Sequence, residues 1–171
     1  GGWSTRIDDL LAPYVEKSYT IYKDELLGYG LTPEKAEEIA LEKANRDLEQ
    51  GLQGLEYKLN SVASSRGDYP FTSFALGLGT SRFEKMVSIA ALNVRRRGQG
   101  KEGNKKPVLF PKLIFLYDEN LHGEGKELED VFEVAISCSQ KSMYPDYLSL
   151  TGDSYVGEMY KKYGEVVYPM G

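Results

Sequence analysis

The sequence predicts an α/β fold in which helices alternate with mostly parallel strands. Two patterns lead to this prediction. Apolar residues recur every three or four positions in four segments, as in amphipathic helices, and strongly apolar runs stand between those segments, as in buried parallel strands. A chain of 171 residues with 41% hydrophobic and 27% charged residues is long enough to enclose one sizeable core. We therefore treat 1–171 as one unit, helical over 1–62 and α/β over 63–171.

The first thirty residues are predicted to form two short helical pieces that meet near Pro13. Proline lacks the backbone N–H that continues a helix, so we place the junction there. Ser4 is the candidate N-cap of the first piece, and the second piece is expected to end at Gly28–Gly30. The apolar residues at helical spacing are Ile7, Leu10, Leu11, Tyr14, Val15, Tyr22 and Leu26.

A long helix is predicted to begin at Thr32, because a capping hydroxyl, a proline and an acid follow one another at Thr32, Pro33 and Glu34. Gly51 and Gly54 lie inside this helix, and each disfavours helix by roughly 1 kcal/mol relative to alanine. We expect them to allow close packing of a neighbouring backbone. The stripe consists of Ala36, Ile39, Ala40, Ala44, Leu48, Leu52, Leu55, Leu59 and Val62.

Strands and helices alternate in the second half. A polar stretch over 64–68 leads to a strand over 69–76, and Thr80 or Ser81 caps a helix that ends at Arg95–Arg97. Two apolar runs around Pro111, a loop at His122 and a helix over 128–142 follow. The last strand candidates are 147–150 and 166–168.

Charge and composition exclude several classes of protein. The net charge of −5 argues against a generally basic nucleic-acid-binding surface, so no direct nucleic-acid binding is expected. One cysteine, Cys138, and one histidine, His122, argue against disulfides and against cysteine- or histidine-rich metal sites. No apolar run is long enough for a membrane helix and no signal-peptide pattern is present, so we expect a cytoplasmic protein.

Several short motifs favour a structural interpretation. Gly98–Gly103 matches the spacing G-x-G-x-x-G, but it follows a predicted helix, whereas a dinucleotide fingerprint follows a strand. The segment Arg95–Lys106 carries six basic residues and one acid, and it is either a phosphate-attracting loop or a solvated one. Cys138 has no histidine nearby in sequence and is predicted to be a buried, inert thiol. The acid pair Asp8–Asp9 is expected to lie on a solvated helix face.

One polar cluster is the candidate substrate site, because it lies where the long helix passes into a buried strand. Hydroxyl, amide and guanidinium groups there can bind a phosphate or a ribose, although ordinary satisfaction of a helix end explains them equally well. No catalytic or metal-binding residue is assigned. The candidate substrate-binding residues are Asn60, Ser64, Ser65, Arg66 and Thr72.

Three collinear stretches, Gln53–Phe71, Gly98–Lys112 and Met143–Gly152, resemble the anaerobic, class III ribonucleoside-triphosphate reductases of the glycyl-radical enzyme superfamily. The resemblance implies part of a ten-stranded α/β barrel built from two half-barrels. It also implies reduction of ribonucleotides to deoxyribonucleotides by radical chemistry for DNA synthesis. In the family a segment like Val167–Gly171 runs directly into the thiyl-radical cysteine, so we expect an internal fragment that is inactive alone.

The resemblance further implies partners and cofactors of the parent enzyme. The expected partners are the rest of the reductase chain, a second copy in a homodimer, a radical S-adenosylmethionine activase and ribonucleoside triphosphates. A glycyl radical, ATP and deoxynucleotide effectors and a structural zinc are expected in the parent and none in this chain. The alternative is a stand-alone α/β interaction or structural protein that associates through exposed strand edges.

Overall fold

The computed structural model describes residues 3–66, 72–98, 111–142, 144–151, 157 and 160. They form one four-stranded sheet with the order β1-β2-β3-β4, in which every neighbouring pair is parallel. The predicted α/β class with parallel pairing is therefore confirmed. The elements are β1 Trp3–Arg6, α1 Ile7–Gly28, α2 Pro33–Arg66, β2 Thr72–Leu76, α3 Arg82–Arg97, β3 Lys112–Tyr117, α4 Glu119–His122, α5 Glu129–Lys141 and β4 Asp146–Ser149.

The sheet has two differently covered faces because side chains alternate along each strand. Phe74, Leu76, Leu113 and Phe115 pack with residues of the helices in the larger core. On the opposite face a smaller cluster joins the strands to the chain beyond β4. It contains Ala75, Leu116 and Leu150, with Leu78, Ile114, Leu148 and Tyr160 packed against it.

The N-terminus differs from the prediction in two ways. Ser4 does not cap a helix but lies in β1, which pairs with β2 in the register Ser4↔Ser73. The range 1–62 thus contributes a strand to the sheet, and pairing with a partner some seventy residues away leaves no local pattern that would reveal it. The two predicted helical pieces are one helix, α1, with Pro13 inside it. Pro13 and Asp9 are both exposed, so water can reach the carbonyl group that lost its helical partner.

The turn between α1 and α2 is confirmed. Helix α1 ends at Gly28, and Leu31 N–H donates to the Leu26 carbonyl oxygen at 3.2 Å across Gly30, which has φ +90°. The Thr32 hydroxyl accepts from the Lys35 N–H at 3.3 Å, as an N-cap does.

Helix α2 is longer than predicted. It continues through the polar residues to Arg66, so the loop expected from Ser64 is helical up to that residue. The expected backbone neighbour of Gly51 and Gly54 is absent from the described part of the chain, since a Cβ built at either glycine meets nothing within 4 Å. Both glycines face open space.

The second half largely agrees with the prediction. Ser81 caps α3 by accepting from the Glu84 N–H at 3.2 Å, and β3, α5 and β4 lie within two residues of their predicted ranges. The prediction of a loop at His122 is wrong, because His122 is the last residue of the one-turn helix α4. This helix is too short to show a periodic pattern in the sequence. The predicted strand residues 69–71, 108–110 and 166–168 and the motif residues 99–103 lie outside the described residues.

Within the part of the chain that the structure describes, no helix is both long and apolar enough to cross a bilayer.

Gly77, directly after β2, combines a positive φ with a close neighbouring side chain. Its φ is +96°, and an added Cβ would lie 2.6 Å from Cε2 of Phe115. We expect Gly77→Ala to lower the free energy of unfolding by ~3 kcal/mol, because backbone strain and overpacking add. Urea denaturation measures this change.

Gly30→Ala is the matched control, since Gly30 has φ +90° but nothing within 4 Å of the added Cβ. Backbone strain alone is expected to cost about 1 kcal/mol there. Equal losses in the two variants would contradict the proposed contact with Phe115.

Candidate functional site

Polar groups collect at the carboxyl edge of the parallel sheet. Arg6 ends β1, the Gly77–Gly79 loop follows β2, Asp118 follows β3 and Thr151 follows β4. Ligands of open α/β sheets bind outside the carboxyl ends of the strands. This edge is therefore the structural candidate for a functional site, although none of the five candidate substrate residues lies there.

Asp8 connects the first helix to this edge. Its carboxylate is fully buried and accepts hydrogen bonds from the Gly79 N–H at 2.8 Å and from Arg6 Nη2 at 3.3 Å. Burial lowers the pKa of Arg6, but the charge and hydrogen bond of Asp8 and the charges of Asp9 and Glu84 together outweigh it, and the net shift is upward. The expectation of a solvated Asp8 is wrong, and only Asp9 of the pair is exposed.

His122 joins the ends of β2 and β3. Its Nε2 lies 2.5 Å from the Gly77 carbonyl oxygen, which can only accept, so Nε2 carries a proton. Its Nδ1 lies 3.0 Å from the Asp118 backbone N and 3.1 Å from the Asp118 carbonyl oxygen, so it accepts from the N–H in the neutral ring and donates to the carbonyl oxygen in the protonated ring. Burial lowers the pKa of His122 below its ordinary value, although the hydrogen bonds to Gly77 and Asp118 act in the opposite direction.

Asp118 is the acid at the centre of the edge. Its side chain is buried, accepts from the Asn120 N–H at 2.9 Å and is hydrogen-bonded to the Tyr160 hydroxyl. Burial is the main cause that raises the pKa of Tyr160, and the negative charge of Asp118 adds to it. Tyr160 also packs on the smaller apolar cluster, so this contact holds residue 160 against the sheet.

A second buried polar group lies near the start of β3. Arg95 Nε donates to Glu56 Oε1 at 2.9 Å, and Arg95 Nη2 donates to the Pro111 carbonyl oxygen at 2.6 Å. Burial raises the pKa of Glu56, and Arg95 offsets part of this rise. Arg95 thereby fastens α2, α3 and the start of β3 to one another. It is not free to bind phosphate with the rest of its basic segment.

The candidate substrate residues occupy the opposite edge of the sheet from Asp118. Ser64, Ser65 and Arg66 are the last residues of α2, and Thr72 is the first residue of β2. The Asn60 side chain donates to the Glu56 carbonyl oxygen at 2.7 Å, one turn earlier in the helix. The prediction that these residues bind substrate stays a prediction.

Cys138 is buried in α5, as predicted. Burial is the largest cause that raises the pKa of its thiol, and Ser142 Oγ lies 3.5 Å from Sγ. A thiol with a raised pKa is a poor nucleophile at neutral pH.

The described residues contain no group of three or more histidine, cysteine, aspartate or glutamate side chains that could hold a metal ion. Sequence reasoning missed three residues of the carboxyl edge because they form no recognisable motif. These residues are Asp8, Asp118 and His122. Their one shared signal is that each lies within a few residues of a strand end.

Together, the four parallel strands and the helices that cover them define an α/β fold. The family model described as anaerobic ribonucleoside-triphosphate reductase matches residues 1–171. The chain is 34% identical over 167 residues to the enzymes of that name from Salmonella typhimurium and Escherichia coli, and 32% identical over 145 residues to that of Enterobacteria phage T4.

These alignments cover 97%, 97% and 84% of the chain. The chain belongs to the anaerobic ribonucleoside-triphosphate reductase family, and the resemblance seen in the sequence is confirmed. It spans 22% of the length of the two bacterial relatives and 23% of the phage relative.

The neutral, buried state of His122 predicts a pH dependence of stability. Because the pKa is lower in the folded than in the unfolded chain, the unfolded chain binds the extra proton more readily. His122 should therefore cost no stability above its unfolded pKa of about 6.5, and the free energy of unfolding should fall as pH drops below that value. Urea denaturation between neutral and mildly acidic pH measures this slope.

His122→Gln is the comparison, since glutamine does not titrate in this range. The variant should be less stable at neutral pH but should lose less stability on acidification than the unchanged chain. Identical pH slopes would show that burial does not hold His122 neutral.

Proposed function

We propose that this chain forms part of the catalytic barrel of an anaerobic ribonucleoside-triphosphate reductase. The whole protein reduces ribonucleoside triphosphates to deoxyribonucleoside triphosphates for DNA synthesis. Family membership along the entire chain is the observation that carries this proposal. Because the chain spans only part of its relatives, the activity belongs to the whole protein, and residues 1–171 are inactive alone.

The exposed outer edge of strand β4 supports the barrel proposal. Strand β4 has a neighbour on one side in the described part of the chain, and Asp146, Tyr147 and Ser149 are exposed. An apolar surface groove lies beside it, between α5 and β4, lined by Phe132, Ile136, Ser139, Gln140 and Tyr147. Each preceding β/α unit packs its helix against the same core, so a further unit continues the sheet at this edge.

In this proposal the chain forms part of the wall of the active site. Radical reduction of a ribose needs a thiyl radical close to the sugar, a stored radical and a source of electrons. Cys138 is buried in α5, away from the carboxyl edge, and it supplies none of these. The buried carboxyl-edge groups Asp8 and His122 both bind the Gly77–Gly79 loop and hold the strand ends in place.

The substrate contacts are proposed at the end of α2 and the start of β2. The last carbonyl groups of a helix accept hydrogen bonds, which suits the hydroxyl groups of a ribose. A guanidinium such as that of Arg66 binds phosphate oxygens in pairs. Asn60, Ser64, Ser65 and Thr72 complete the proposed site.

The partners of the whole protein follow from the same proposal. They are the rest of the reductase chain, a second copy in a homodimer and a radical S-adenosylmethionine activase. The protein acts in the cytoplasm, where deoxynucleotides are consumed. ATP and deoxynucleotide effectors, a glycyl radical and a structural zinc belong to the whole enzyme.

An anaerobic turnover assay of the whole protein tests this function. With its activase and a reductant, the protein should convert CTP to dCTP, whereas residues 1–171 alone should form none. In the same assay Arg66→Ala should raise KM for CTP by about tenfold, because a charged hydrogen-bond partner of the phosphate is lost. Arg46→Ala, an exposed arginine earlier in α2, should leave KM unchanged.

The absence of dCTP from activated whole protein would contradict the proposed function. It would favour the alternative of an interaction protein that associates through its strand edges. An unchanged KM in Arg66→Ala would remove Arg66 from the substrate site and leave the family function standing.

A further inference from the structure

The ion pair of Glu56 and Arg95, called here the buried pair, is enclosed on both sides. The two side chains are 6% and 0% exposed. The other ion pairs between described residues each have at least one side chain that is 32% exposed or more. Glu56 Oε2 and Arg95 Nη1 are buried and have no hydrogen-bond partner in the described part of the chain. Attraction between two buried charges repays the loss of water only when their hydrogen bonds are complete, so stability is a poor explanation for this pair.

Arg95 of α3 connects helix α2 to the amino edge of the sheet. Its Nε donates to Glu56 Oε1 at 2.9 Å, and its Nη2 donates to the Pro111 carbonyl oxygen at 2.6 Å. The carbon atom at the centre of the guanidinium also lies 5.3 Å from the ring centroid of Tyr144, two residues before β4. One side chain therefore contacts α2 and the segments that lead into two neighbouring strands.

The end of α2 carries four of the five proposed substrate residues, and Glu56 anchors this end. Among the described side chains of α2, Glu56 is the last that is buried. The Asn60 side chain donates to its carbonyl oxygen at 2.7 Å. Four residues turn a helix by only about 40° more than one full turn, so the backbone positions of Glu56, Asn60 and Ser64 lie on one side of α2. A contact at Glu56 therefore sets the height and the rotation of the last turns.

The start of β2 is connected to the same guanidinium through β3. In the parallel register, Ser73 of β2 lies beside Lys112, the first residue of β3. The Pro111 carbonyl group that accepts from Arg95 belongs to the peptide bond just before Lys112. Thr72, the fifth proposed substrate residue, therefore begins its strand beside a peptide that Arg95 holds in place.

We propose that Arg95 is a positioning residue for substrate binding, which together with Glu56 sets the distance between the end of α2 and the start of β2. This inference rests on the substrate site proposed above, because those two elements carry its residues. The buried pair acts through the backbone and does not touch the substrate. Arginine suits this role, since its planar fork donates to two acceptors at once in fixed directions.

Turnover of CTP by the activated whole protein tests this role. Glu56→Leu with Arg95→Met replaces the buried pair by apolar side chains of similar length and leaves no unpaired charge, so the protein should fold and keep kcat within about twofold. KM for CTP should rise about tenfold, because the two parts of the site are no longer held at their binding distance. A merely structural role would lower the amount of active protein, and hence the apparent kcat, without changing KM.

Glu37→Leu with Arg82→Met is the matched control. Arg82 Nη1 donates to Glu37 Oε1 at 2.8 Å and so joins the same two helices, but near their first turns. This double variant should leave KM and kcat unchanged. An equal rise of KM in the control would show that any link between α2 and α3 is sufficient, and it would overturn the specific role of Arg95. A folded Glu56→Leu, Arg95→Met protein with unchanged KM would overturn the proposal as well.

Arg95→Lys decides the question if the apolar double variant does not fold. It keeps the buried charge, but one ammonium group cannot reproduce the directed hydrogen bonds to both Glu56 and Pro111. KM for CTP should rise at least about threefold while kcat is kept. An unchanged KM would overturn the positioning role alone, provided that the unchanged protein forms dCTP. Absence of dCTP from the unchanged protein would contradict the reductase function itself, and the positioning role with it.

Discussion

The loop Gly77–Gly79 after β2 is held from three sides, and the carboxyl edge of the sheet depends on this contact. Ser88 of α3 accepts the Gly77 N–H at 3.0 Å, His122 of α4 donates to the Gly77 carbonyl oxygen, and Asp8 of α1 accepts the Gly79 N–H. Three helices far apart in sequence thus meet at one backbone segment. Buried backbone groups need such partners, since each unsatisfied one would cost about 1–3 kcal/mol.

Sequence reasoning found the elements whose stability is local. Thr32 and Ser81 cap their helices as predicted, because a capping hydroxyl acts on backbone groups three residues away. The short strand β1 and the one-turn helix α4 were missed, since β1 depends on a distant strand and α4 on the buried contacts of His122. Pro13 led to the opposite error, a predicted break inside α1. The helix continues there because the exposed carbonyl group of Asp9 tolerates the loss of its hydrogen bond.

The candidate site was harder to predict than the fold. Residue type alone predicted that Asp8 lies on the surface and His122 in a loop. Both side chains are almost completely buried, with 0% and 1% of their surfaces exposed. Their roles depend on the Gly77–Gly79 loop, which the fold brings to them and the sequence pattern does not reveal. Arg95 is similar, because its partners Glu56 and Pro111 come from other elements.

The buried polar groups of this chain have a structural role. The pairs at the two edges of the sheet position the strand ends, because each joins elements that are far apart in the sequence. Strand β4 stays exposed at Asp146, Tyr147 and Ser149 on the outer side of the described sheet.

Native-state hydrogen exchange of the Gly77 and Gly79 amides tests this dependence most directly. Although both amides lie outside regular secondary structure, they should exchange only on global unfolding, with the same protection as the amides of β3. Exchange as fast as that of an open surface loop would contradict the claim that the carboxyl edge is fixed by this three-sided contact.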